Sequence, residues 1–65
     1  MTVTINGTDK QTSAATVAEL VTELGMAERA VAVEVNRQIV PKRQHDQTAL
    51  RDGDQVEVVT LVGGG

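Results

Sequence analysis

The chain contains no cysteine, phenylalanine, tyrosine or tryptophan, one histidine and one proline. Each absence removes a class of chemistry. Without cysteine there can be no disulfide, thiolate nucleophile or zinc knuckle. A single histidine cannot build a His-rich metal site. Without aromatics there is no stacking platform for single-stranded nucleic acid. With 6 basic against 9 acidic residues the net charge is −3, the wrong sign for a surface that tracks phosphates. No apolar run approaches the ~20 residues of a membrane span. The opening Met1-Thr2-Val3-Thr4-Ile5 has neither the basic start nor the apolar stretch of a signal peptide. At 65 residues the chain is one domain, near the size at which a core without disulfides only just suffices. A substrate-enclosing catalytic cleft is not expected. The expectation is a small cytoplasmic protein, not an enzyme, with no metal, bound cofactor, nucleic acid or membrane, whose function lies in what it presents to partners.

What is present is valine, eleven residues against two Ile and four Leu. A β-branched core without rings suits a sheet under one thin packing layer. Thr2-Val3-Thr4-Ile5 alternates with the period of a half-buried strand. Asn6-Gly7 then supplies a hairpin turn, since both residues tolerate positive φ. Thr8 to Thr12 returns as a charged edge strand. The sequence predicts one helix of about nine residues. Thr16-Val17-Ala18-Glu19 is a capping box, in which the Thr16 hydroxyl takes the Glu19 amide and the Glu19 carboxylate reaches back to the cap amide. Val17, Leu20, Val21 and Leu24 make one apolar stripe, and Gly25 is placed to stop the helix.

Ala30 to Asn36 alternates as a strand with Val31, Val33 and Val35 on one face. Asn36-Arg37 turns the chain into the short strand Gln38-Ile39-Val40, which Pro41 ends. Lys42 to Asp46 is expected to be an exposed turn, with His45 on the surface and not a general base. Leu50 is a candidate core plug. Arg51-Asp52-Gly53-Asp54 is read as a turn, because the spaced acidic ligands of a calcium loop are missing. Gln55 to Val62 is the last strand. Arg37, Lys42, Arg43 and Arg51 are expected to be solvated. The order ββαβ(β)β predicts an α+β, β-grasp fold: a mixed sheet of four to five strands under one packed helix. In this scheme the crossover from the second strand through the helix makes a parallel pair in mid-sheet, and the last strand lies beside the first. The domain is assigned to residues 1–62, with a flexible tail at 63–65.

That tail, Gly63-Gly64-Gly65, is the unusual feature. Glycine adds nothing to a core, and its conformational freedom opposes order. A frayed end or a cloning remnant is one reading. The other is a segment that enters a partner's active site, where a backbone without side chains fits a narrow channel. The group delivered would be the Gly65 carboxylate, ionised at neutral pH. It can attack the α-phosphate of ATP, and a sulfur or nitrogen nucleophile can displace AMP from the resulting acyl adenylate. The nearby strand adds a second candidate. If Val56 and Val58 face the core, Glu57, Val59 and Leu61 face outward, and Val59 and Leu61 form a partner-binding surface beside the tail.

Three segments together carry a resemblance: Val33-Glu34-Val35-Asn36-Arg37-Gln38-Ile39-Val40-Pro41-Lys42, Leu50-Arg51-Asp52-Gly53-Asp54-Gln55-Val56-Glu57-Val58-Val59, and the terminal Gly64-Gly65. Across essentially its whole length the chain resembles the ThiS family, the ubiquitin-like sulfur carriers of thiamine biosynthesis. The resemblance implies that a ThiF-type adenylating enzyme uses ATP to activate the Gly65 carboxylate. A sulfur donor system drawing on a cysteine desulfurase would make the thiocarboxylate, and thiazole synthase would take the sulfur. By position Gly65 carries the sulfur and Gly64 is the penultimate glycine. Gly63 goes beyond the minimal motif. Lys42 stands where an arginine is expected after the proline, keeping charge but losing the forked hydrogen bonding. A molybdopterin-synthase small subunit shares fold and tail, but those chains run longer and approach the tail through a Pro-Pro-Val-like segment. A protein modifier joined through Gly65 to target lysines is a third reading. An inert interaction module is a fourth, distinguished by whether removing Gly64 and Gly65 leaves function intact.

Overall fold

Turn chemistry and alternation lay out most of the molecule. The computed structural model describes residues 1–61. The expected domain end at residue 62 and the tail at 63–65 lie outside the described residues. Along the chain come β1 (Thr2–Ile5), β2 (Thr8–Gln11), α1 (Val17–Glu23), β3 (Val31–Val35), β4 (Gln38–Val40), a 3₁₀ helix (Lys42–Gln47) and β5 (Gln55–Thr60). The five strands form one mixed sheet in the order β2-β1-β5-β3-β4.

Asn6 and Gly7 adopt φ of 49° and 85°. That double positive φ matches the twist of the flanking strands, so β1 and β2 pair antiparallel from Thr2↔Gln11 to Ile5↔Thr8. The second hairpin, β3–β4, repeats the device at Asn36 and Arg37, with φ of 51° and 69°. Arg37 is an uncommon residue for that region. The turn is held from the Asn36 side: its Oδ1 accepts from the Gln55 amide at 3.0 Å and its Nδ2 donates to Asp54 Oδ1 at 3.0 Å.

The last strand lies beside the first, as expected: β5 runs parallel to β1 through Thr4↔Gln55 and Ile5↔Val56. The expected parallel pair at the crossover is not formed. β2 and β3 are separated by β1 and β5, and β3 is antiparallel to both its neighbours. The reason lies in side-chain character. β2 is Thr8-Asp9-Lys10-Gln11, with no apolar residue to bury, so it can serve only at an edge. β5 buries Val56 and Val58 and takes the centre.

The helix obeys its sequence signals with one change. Glu19 N–H donates to Thr16 Oγ1 at 3.2 Å, as a cap requires. The Glu19 carboxylate, however, takes the Ala15 amide at 2.7 Å, not that of the cap residue. The chain reaches the helix out of a short bridge between Thr16 and Ala49, flanked by Val17 N–H to Thr48 O and Leu50 N–H to Ala15 O. Seven residues are helical and the two caps bring the unit to nine. At its end Gly25, φ 76°, donates to Thr22 O, and Met26 donates to Val21 O, the paired bonds of a Schellman stop.

The core is a single layer between α1 and the sheet. Val3, Val17, Leu20, Val33 and Val56 are fully buried, and Leu50 plugs the layer as expected. Two polar residues join it. Thr12 donates its hydroxyl to Glu23 Oε2 at 2.8 Å and accepts from the Ala14 amide at 3.0 Å. His45 is 6% exposed, which overturns the expectation of a surface histidine in an exposed turn. From the 3₁₀ helix its Nε2 donates back to Val40 O at the end of β4, at 3.0 Å. Hydrophobic patterning cannot see such a residue, because a polar side chain is allowed inside once one backbone carbonyl is placed to receive it.

Candidate functional site

The candidate site grows from β5. Alternation turns Val56 and Val58 to the core and leaves Glu57 and Val59 exposed, with Leu61 exposed just beyond the strand. Val59 is 57% exposed and Leu61 55%. The outward orientation drawn from the sequence is therefore correct. Leu61 is still tied to the sheet, its amide donating to Ala30 O at 2.8 Å. Gly63, Gly64 and Gly65, the sequence's candidates for the tail and the sulfur-bearing end, lie outside the described residues.

On its β1 side, β5 is held beyond Val56 by a side chain acting as backbone. β1 ends at Ile5, so the β5 edge beyond Val56 would lose its partner. The Asn6 amide fills the gap: Oδ1 accepts from Val58 N–H at 2.9 Å and Nδ2 donates to Val58 O at 3.1 Å. Asn6 N–H donates to Val56 O at 2.9 Å. The residue that opens the hairpin thus also carries the ladder two residues further along β5.

The solvent face of the sheet divides at this seam. On the β1–β2 half the side chains satisfy one another: Thr4 Oγ1 donates to Asp9 Oδ1 at 3.2 Å and Gln11 Nε2 donates to Thr2 Oγ1 at 2.9 Å. On the β5–β3–β4 half Val59 stands opposite the exposed Ala32, and Ile39 is 75% exposed. The exposure of Ile39 is not among the sequence expectations; the pairing of Val40 with the buried Val33 is what settles it. In a three-residue strand whose Val40 faces inward, Ile39 must face outward.

The other sequence candidates do not gather into a second site. Arg37, Lys42, Arg43 and Arg51 are exposed. Asp52 and Asp54 act in the turn, accepting from Thr2 N–H at 2.7 Å and Arg51 N–H at 2.8 Å. A shallow depression of about 410 Å³ lies between α1 and the 3₁₀ helix, lined by Ala18, Val21, Thr22, Lys42, Arg43 and His45 among others. Among the described residues no three His, Cys, Asp or Glu side chains converge. None of the described helices is long and apolar enough to cross a membrane.

A family model described as "ThiS family" matches residues 3–65. Sulfur carrier protein ThiS of Escherichia coli is 38% identical over 50 residues, 77% of this chain and 76% of that protein. Sulfur carrier protein ThiS of Thermus thermophilus is 36% identical over 63 residues, 97% of this chain and 98% of that protein. A protein named thiazole synthase from Paramagnetospirillum magneticum is 48% identical over 66 residues, covering all of this chain but 20% of that protein. The chain therefore spans about a fifth of the length of that relative. Among solved structures, the crystal structure of a thiamine biosynthesis protein (ThiS) from Geobacter metallireducens superposes with a TM-score of 0.82 at 35% identity, covering all of both chains.

Proposed function

The chain belongs to the ThiS family, and from that premise we propose that it is a sulfur carrier of thiamine biosynthesis whose Gly65 bears the sulfur. The observation that carries the proposal is full-length similarity, in sequence and fold, to proteins of that name. The geometry is compatible with the role. Val59 on β5 and Leu61 just beyond it are exposed to solvent on the stretch of chain that leads toward Gly63, Gly64 and Gly65. They would seat the domain on a partner while the glycines thread its channel.

The chemistry balances with groups supplied by others. A carboxylate oxygen of Gly65 attacks the α-phosphorus of ATP, and pyrophosphate leaves. A ThiF-type adenylating enzyme provides the site and the nucleotide. A sulfur nucleophile at the oxidation level of hydrosulfide, derived from a cysteine desulfurase system, then attacks the acyl carbon. AMP departs with the former carboxylate oxygen, one proton is released, and a thiocarboxylate remains. Thiazole synthase would consume it. This chain contributes no catalytic side chain to these steps; it contributes the acyl group and the docking surface. Two relatives named thiazole synthase contain a stretch similar to the whole of this chain, which supports thiazole synthase as a partner.

The test is the intact mass after incubation with the adenylating enzyme, ATP and sulfide. A sulfur-for-oxygen increase mapped to Gly65 is expected. Removal of Gly64 and Gly65 should abolish it while the circular dichroism of the domain is unchanged. No mass change, under conditions that modify the Escherichia coli carrier, would overturn the proposal.

A further inference from the structure

The exposed half of the sheet carries a feature that packing does not require. Glu34 on β3 and Glu57 on β5 are directly opposite in the ladder, both on the solvent face. The bonds from Asn36 N–H to Gln55 O and from Leu61 N–H to Ala30 O fix the phase of this antiparallel pair, which makes Glu34–Glu57 a hydrogen-bonded pair. Their Cβ atoms are then about 5 Å apart. Like charges directly opposite destabilise a sheet. Among the described residues neither carboxylate has a cation at ion-pair distance; the ion pair formed joins Lys10 on β2 to Glu23 on α1 at 3.5 Å. The two carboxylates are framed by apolar groups, Ile39 opposite Glu34 on β4 and Val59 two residues along β5 from Glu57.

We propose that this face docks thiazole synthase through a basic side chain of that enzyme, an arginine, set between the Glu34 and Glu57 carboxylates while apolar groups around it cover Ile39, Val59 and Leu61. The inference rests on the carrier reading above and names the partner chemistry of its docking surface. Charge complementarity selects a cation, since two facing carboxylates repel until one sits between them. The apolar frame selects a protein surface over a free ion, because a hydrated ion leaves Ile39 and Val59 in water. The planar guanidinium selects arginine, having donors enough in a fixed fork to bond two carboxylates at once, where lysine offers a point charge. Relatives in which the carrier portion and thiazole synthase share one chain point to that enzyme as the occupant.

The experiment uses the full chain with Glu34→Gln, Glu57→Gln and both, against full-length thiazole synthase from the same organism. Two readouts are taken. Each single substitution should raise the thermal midpoint of the free chain, because repulsion is relieved without loss of packing. The double variant should bind the synthase at least tenfold more weakly, and the salt dependence of binding should flatten. Thiocarboxylation at Gly65, followed by intact mass, separates the two levels of the argument. Wild type that acquires no sulfur refutes the carrier reading itself. Wild type and variants that acquire sulfur alike, with synthase affinity within twofold across the series, overturn the docking inference and leave the carrier reading standing. A midpoint that falls in the variants also overturns it, since the pair would then be holding the free sheet together.

Discussion

The two halves of the sheet's solvent face are built from strands of similar length and yet are finished differently. On β1–β2 the exposed residues are Thr, Asp and Gln, and they hydrogen-bond to one another. On β5–β3–β4 Ile39, Val59 and Ala32 are exposed around two facing glutamates, with Gln55 at one end and Leu61 just beyond β5 at the other. A surface whose polar groups are already paired gains little from a partner. A surface with exposed apolar side chains and uncompensated like charges gains both hydrophobic burial and charge neutralisation when it is covered. On the docking proposal the covered half is the second, whose strand β5 is the last in the chain.

Substitutions can break that comparison in order of severity. Leu20→Ala strikes the layer under both halves. Leu20 is fully buried, and its loss should cost about 2–5 kcal/mol, seen as a large drop in the urea midpoint and a loss of every binding readout together. Next comes Val59→Asp, which should leave the urea midpoint nearly unchanged while weakening partner binding by about 2 kcal/mol, the scale of an interface hot spot. A Thr4→Asp control on the other half should leave binding unaffected; equal losses from the two halves would dissolve the distinction. Asn6→Ala cuts the seam between them. It strands the Val58 N–H and C=O and should cost about 1–3 kcal/mol, with faster amide exchange at Val58 than at Val33. Thr16→Ala removes only the helix cap and should lower stability by about 1 kcal/mol with no effect on the affinity of the folded chain for partners.

The alternation that placed Val59 and Leu61 on the surface is a local property of one strand, and it was readable before any fold was known. The same rule exposes Ile39 in Gln38-Ile39-Val40 only once Val40 is known to face inward. A three-residue strand carries too little pattern to set its faces until a neighbour fixes which residue points inward. His45 was misplaced for a different reason. Its burial depends on a carbonyl five residues back, at Val40, and on α1 lying across the 3₁₀ helix. No periodicity encodes either.

The 3₁₀ helix is not legible in the sequence alone, whereas the strands, the α-helix and its stop, both hairpin turns and the absence of thiol and aromatic chemistry are. These follow from local rules: φ preferences at Asn6-Gly7 and Gly25, alternation by two, and an apolar stripe by three and four. The last strand beside the first is expected from the sequence, whereas the pairing of β5 with β3 is set by the tertiary structure. It placed β5 between β1 and β3, used the Asn6 side chain as ladder, buried His45, and set Glu34 against Glu57. The physical reason is that pairing of β5 with β1 and β3 joins residues 21 or more positions apart, so it depends on how the whole core packs and not on either segment alone.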